Sequence, residues 1–102
     1  MKYPAISNFI NGKSTPSTSS RTLDVISPLD GNRLSTVPLS TLADLSNAVE
    51  AAKKAFPAWS RMPIKERIQV FFRYKTLLEK NLKELSELIQ EENGKKIGRA
   101  HV

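Results

Sequence analysis

Cysteine is absent from all 102 residues. That excludes disulfides, a thiolate nucleophile and any metal site built on thiolates. Histidine occurs once, at His101, one residue from the last position. A metal site needs three or four ligands at defined spacing, and His101 has no acidic or His neighbour within a turn. No run approaches 18 apolar residues, so the sequence offers no transmembrane helix. Met1-Lys2-Tyr3-Pro4 lacks the apolar stretch of a secretory signal, and the expected location is cytoplasmic. Neither GxGxxG nor a Walker-type glycine loop occurs, so no phosphate-binding turn is spelled out.

What is present is basic and modestly apolar. Lys and Arg number 16 against 10 Asp and Glu, a net charge of +6, and hydrophobic residues make up 39%. A chain of this size forms one small domain with a thin core. The basic balance raises nucleic acid as a partner. The charges are interleaved, however: Glu79 with Lys83, Lys80 with Glu84, and Lys83 with Glu87 stand four apart. That pattern describes a solvated helix face. Phe56, Trp59 and Phe71 fall on apolar stripes, where core is the commoner use than base stacking. Neither nucleic acid nor membrane is therefore expected as a partner.

Residues 1–39 read as strands and turns. Phe9-Ile10 lead into Asn11-Gly12, the strongest two-residue hairpin signal. Ser14 to Ser20 holds small hydroxyl residues and Pro16, and reads as a mobile loop. Residues 22–26 alternate as a short strand. Pro28-Leu29-Asp30-Gly31 is a turn, and residues 34–37 return as the partner strand, closed by Pro38.

Helical periodicity begins at Thr41. Leu42, Leu45, Val49, Ala52, Phe56 and Trp59 recur at 3, 4, 3, 4, 3, one stripe of a helix. Thr41 with Asp44 reads as a capping box. Pro57 predicts a helix end near Phe56. Pro63 suits the first position of a second helix. Ile64, Ile68, Phe71, Lys75, Leu78, Leu82, Leu85 and Ile89 continue as one seam to Asn93-Gly94, a left-handed stop. Thirty residues at 1.5 Å each predict a helix of about 45 Å. Its stripe faces the first helix, and the seam carries more apolar surface than one partner helix covers. Self-association is the expected cover. Residues 95–102 are expected to fray. The expected fold class is α+β: an N-terminal β-hairpin arm followed by an antiparallel pair of amphipathic helices.

Glu91 and Glu92 are adjacent and diverge by about 100° on a helix, so they do not form an acid/base pair. The helix dipole disfavours carboxylates at this end, which points to a tertiary partner.

Four motifs occur in a fixed order: Asn8-Phe9-Ile10-Asn11-Gly12-Lys13, Ser27-Pro28-Leu29-Asp30-Gly31, Ala55-Phe56-Pro57-Ala58-Trp59 and Glu91-Glu92-Asn93-Gly94-Lys95. Together they resemble the N-terminal region of the aldehyde dehydrogenase superfamily, most closely its methylmalonate-semialdehyde dehydrogenase-like members. The resemblance implies that a full-length relative oxidises an aldehyde to an acid or acyl-CoA with NAD or NADP. It places the catalytic cysteine, the general base and the cofactor-binding residues downstream of residue 102. No catalytic and no cofactor-binding residue is therefore assigned here, and no cofactor is expected on this chain alone. The resemblance also implies that residues 1–39 form the oligomerisation arm and that residues 40–94 form outer helices of the cofactor-binding domain. Backbone carbonyls of Val25 and Ile26 would give at most a half-site for a monovalent cation. Ser27 stands where the family usually has Asn, which affects the hydrogen bonding of the turn. The partners expected are the remainder of the enzyme or further copies, in a homo-oligomer. Two rival readings stand beside this one: a self-associating helical interaction module, and a weak nucleic-acid-binding basic domain.

Overall fold

The computed structural model describes residues 1–94. Its order is β1 (Asn8–Ile10), β2 (Lys13–Thr15), β3 (Thr22–Ile26), β4 (Arg33–Pro38), α1 (Leu42–Arg61), α2 (Ile64–Lys80) and α3 (Leu82–Asn93). The α+β arrangement expected from the sequence, strands first and helices after, is present.

The strands form two separate antiparallel pairs, β1–β2 and β3–β4. Asn11 and Gly12 take φ of 53° and 76°, the two positive values that a tight hairpin turn needs. The second pair closes through Ser27, whose N–H donates to Asn32 O at 2.9 Å and whose carbonyl accepts from Gly31 N at 2.9 Å. Ser27 Oγ accepts from Leu29 N at 3.2 Å, so the serine side chain itself closes the start of the turn. The leading segment runs along β4: Tyr3 N donates to Leu34 O and Ile6 N to Thr36 O, both at 2.8 Å.

α1 starts at a complete capping box. Thr41 Oγ1 accepts from Asp44 N, and Asp44 Oδ2 accepts from Thr41 N. The helix does not end near Phe56. It continues through Pro57 to Arg61. Pro57 removes one amide, and the carbonyl left without it, on Lys53, lies in an exposed stretch of helix, open to solvent.

The expected long second helix is broken into α2 and α3 at Asn81, with φ −106° and ψ 18°. Asn81 Nδ2 donates to Leu77 O at 2.8 Å. The side chain thus competes for a carbonyl that the helix ladder uses. The break is a bend rather than a loop, because Asn81 N still donates to Leu77 O and Leu85 N to Asn81 O. Gly94 closes α3 in the left-handed conformation, as its sequence position predicts, with φ 71°.

The molecule is thin, 48 × 43 × 17 Å. A domain ordinarily stacks two layers about one core. Among the described residues, Leu34 is the one buried hydrophobic side chain, at 6% exposure. The stripes of α1 and α2 do not face each other: α1 packs on β1, and α2 meets α3 at their bend. Lys75, expected on a buried seam, is exposed and pairs with Glu79 at 3.8 Å.

Candidate docking surface

Two polar knots hold the strands against the helices. The first is centred on Asp44, which is 5% exposed. Ser17 Oγ donates to Asp44 Oδ2 at 2.5 Å, and Thr18 donates to Oδ1 through N at 3.1 Å and Oγ1 at 3.0 Å. With the Thr41 amide, the carboxylate accepts four hydrogen bonds. The Ser17 hydroxyl, the Thr41 amide and the Thr18 groups hold its pKa well below the usual carboxylate range. The 14–20 stretch is therefore not a free loop. Ser14 and Thr15 lie in β2, and Ser19 N and Arg21 N close small turns on Ser17 Oγ and Ser19 Oγ. Hydroxyl side chains that bond backbone nearby make such stretches look mobile in a sequence while fixing them in a fold.

The second knot is centred on Glu91. Its Oε2 accepts from Lys2 Nζ at 2.9 Å and its Oε1 from Tyr3 Oη at 2.7 Å. The Lys2 and then the Tyr3 hydrogen bonds lower the Glu91 pKa, and the same bonds raise those of Lys2 and Tyr3. This is the tertiary partner that a carboxylate at a helix C-terminus calls for. Glu92 is exposed and takes no part. A Cβ on Gly94 would lie 3.4 Å from Pro28 Cγ, so the end of α3 rests on the β3–β4 turn.

Around these knots the apolar stripes are bare. On α1, Leu42 is 81% exposed, Leu45 59% and Phe56 66%. On α2, Phe71 and Phe72 are exposed, and so is Leu82 at the start of α3. Burying one such side chain is worth about 1.5–3 kcal/mol, so the uncovered stripes represent a large unused gain. A surface of this kind marks an interaction site. β1 and α1 together line a shallow cavity of about 460 Å³ through Phe9, Ile10, Leu42, Leu45 and Ala48.

Chemistry on the described residues is sparse. They contain no group of three or more His, Cys, Asp or Glu able to hold a metal ion. None of their helices is long and apolar enough to cross a membrane. Val25 and Ile26 end β3 where its register against β4 shifts. The Asp24 carboxylate and the Arg33 guanidinium form a surface ion pair at 3.6 Å. His101 and the basic segment 95–102, expected to fray, lie outside the described residues.

The family model described as "Aldehyde dehydrogenase family" matches residues 15–102. The chain belongs to the aldehyde dehydrogenase family. Malonate-semialdehyde dehydrogenase 1 of Shouchella clausii is 43% identical over 95 residues, 93% of this chain and 19% of that protein. The acylating, mitochondrial methylmalonate-semialdehyde/malonate-semialdehyde dehydrogenase of Mus musculus is 41% identical over 97 residues, 95% of this chain and 18% of that protein. A Sinorhizobium meliloti protein assigned as a methylmalonate-semialdehyde dehydrogenase, solved with NAD, superposes with a TM-score of 0.84 at 38% identity. It matches 90% of this chain and 18% of its own. The chain thus spans about a fifth of the length of the curated relatives it matches, and it corresponds to an N-terminal segment of them.

The sequence pointed to the capping box, the Glu91 partner and the excess apolar surface. It missed Ser17 and Thr18 as ligands of Asp44. The available signal was their hydroxyl type alone, because nothing in the spacing ties residue 17 to residue 44.

Proposed function

We propose that this chain is the noncatalytic N-terminal scaffold of an NAD-dependent aldehyde dehydrogenase of the malonate- or methylmalonate-semialdehyde group. The whole enzyme would oxidise a semialdehyde to an acid or acyl-CoA. The observation that carries the reading is a fold superposing on part of an NAD-bound relative while its apolar stripes stay bare. In this reading, residues 1–39 are the oligomerisation arm of a homo-oligomer, and residues 40–94 are outer helices of the cofactor-binding domain. The face of α1 with β1 docks on the rest of the enzyme. Val25 and Ile26 would lend backbone carbonyls to a monovalent cation whose other ligands lie elsewhere in the enzyme. NAD is favoured over NADP by the relative solved with it.

A catalytic nucleophile, a base and a phosphate-binding turn are what such chemistry requires. The chain has no cysteine to serve as the thiolate. Complementation tests the assignment. The Shouchella clausii enzyme without its matching segment is mixed with this chain, and malonate-semialdehyde-dependent NADH formation is followed. Activity that appears in the mixture and in neither part alone is the expected result. Micromolar NAD affinity of this chain by calorimetry would overturn the noncatalytic assignment.

A further inference from the structure

The leading segment lies between two elements that hardly touch each other, β4 and α3. Its backbone belongs to the strands. Tyr3 N and Ile6 N donate to Leu34 O and Thr36 O of β4, both at 2.8 Å. Pro4 O accepts from Ser35 Oγ at 2.7 Å, and Ser35 is 4% exposed. Two of its side chains belong to α3. Lys2 Nζ and Tyr3 Oη each donate to one oxygen of Glu91, across 89 and 88 positions of sequence.

α3 has little else to hold it. Apart from α2 at the bend, no strand or helix packs broadly on it among the described residues. Its half-buried residues Leu85, Leu88 and Glu91 stand three apart and so share one face. Leu88 and Glu91 look onto Tyr3, Pro4 and Ile6 across a cavity of about 330 Å³. Open space at a junction forgoes the contacts that close packing would make. The junction is therefore held by bonds to one carboxylate more than by interlocked side chains. Its second tie is the rest of Gly94 on Pro28. α2 offers no further hold, since Arg67 alone among its residues is half-buried.

We propose that residues 2–6 are a strap that docks α3 on the strand pair by clasping Glu91, and that α3 detaches at the Asn81 bend when the clasp opens. The two helices already part at Asn81, so departure of α3 asks little of the rest of the chain. The β3–β4 pair keeps its own ladder, and α1 keeps its cap on Asp44. A detached helix of 12 residues is marginal in water, so α3 frays once it leaves. Opening is thus a local event, confined to one end of the molecule. The proposal stands on bonds within the chain and does not rest on the enzymatic assignment.

Hydrogen exchange of the 102-residue chain near neutrality, read by mass spectrometry, tests it. Lys2→Met combined with Tyr3→Phe removes both donors and keeps the backbone bonds of the strap. Amides of α3 should then exchange faster by about tenfold, the order set by losing hydrogen bonds to a charged acceptor. Amides of β4 and of the first half of α1 should keep their rates. Glu91→Gln should accelerate α3 less, because the amide oxygen still accepts from Tyr3. Lys2→Glu with Glu91→Lys, in the Tyr3→Phe background, reverses the ion pair and should restore much of the lost protection.

Three outcomes would overturn the strap. Unchanged α3 exchange in the double variant would leave α3 held by Pro28 or not docked at all. Acceleration spread evenly over β4, α1 and α3 would make the segment an ordinary part of one cooperative fold. A reversed pair no better protected than the double variant would deny Glu91 its role as the clasp.

Discussion

The strand half and the helical half of this chain are held by different means. Ser27, Leu34, Ser35 and Asp44 are the buried residues described, and they all lie within residues 27–44. α2 and α3 contain no buried residue. The first half is tied by short hydrogen bonds across long sequence separations, such as Ser35 Oγ to Pro4 O at 2.7 Å. The second half is regular because of local ladder bonds and periodicity, and it spends almost none of its apolar surface. A periodic stripe shows that a helix will be amphipathic. It does not show that the chain itself supplies the other side.

The comparison breaks most decisively at Leu34. Leu34→Ala should cost about 2–5 kcal/mol in chemical denaturation, as for other buried leucines. A loss no larger than that of an exposed site would place the stability of the strand half in its hydrogen bonds alone. At Gly94, Ala must adopt a left-handed conformation, and Gly94→Ala should cost about 1–2 kcal/mol. Thr41→Ala removes half of the capping box and should cost about 0.5–2 kcal/mol. The smallest effect belongs to the helices: Leu42→Ala, at 81% exposure, should change the stability of the monomeric chain by less than about 0.5 kcal/mol. Leu78, which the seam placed inside, is 39% exposed, and its truncation should fall well below the cost of a core leucine.

Acid titration sharpens the same contrast. The folded-state pKa values of Asp44 and Glu91 are lowered, so the unfolded chain binds protons more readily at both positions. Their contribution is complete above the ordinary carboxylate range, about 4, and is lost as pH falls through the lowered values. A urea midpoint that is flat near neutrality and declines below about pH 4 is the expected profile. Asp44→Asn should flatten that decline more than Glu91→Gln does, because Asp44 is the more strongly perturbed. Equal flattening by both would contradict the ranking.

Sequence legibility followed the range of the interaction. Asn11-Gly12, the Thr41–Asp44 box and Gly94 are fixed by backbone rules that span four residues or fewer, and all three are found as read. Glu91 was legible as a carboxylate in need of a partner, since the dipole penalty is local, although Lys2 and Tyr3 were not legible as that partner. Pro57 and Asn81 misled in opposite directions. One lost amide was too little to stop α1, whereas an unremarkable Asn bent an unbroken seam by turning its side chain onto Leu77 O. The unit character of residues 14–20 was hidden because its anchor lies more than twenty residues away. Bare stripes were foreseen as excess surface, but the heptad spacing alone suggested that α1 and α2 would face each other.

Asp44 also bears on how this chain acquires its structure. One carboxylate serves as the cap partner of α1 and as the anchor of a loop 26 residues earlier. The first turn of the helix and the closure of that loop therefore share a single acceptor. Neither is fully satisfied until both are in place, so strand and helix are bound into one cooperative step. In a nascent or partly unfolded chain, loss of the 16–20 segment would fray α1 from its beginning. A proteolytic cut there should release the helix as readily as the loop.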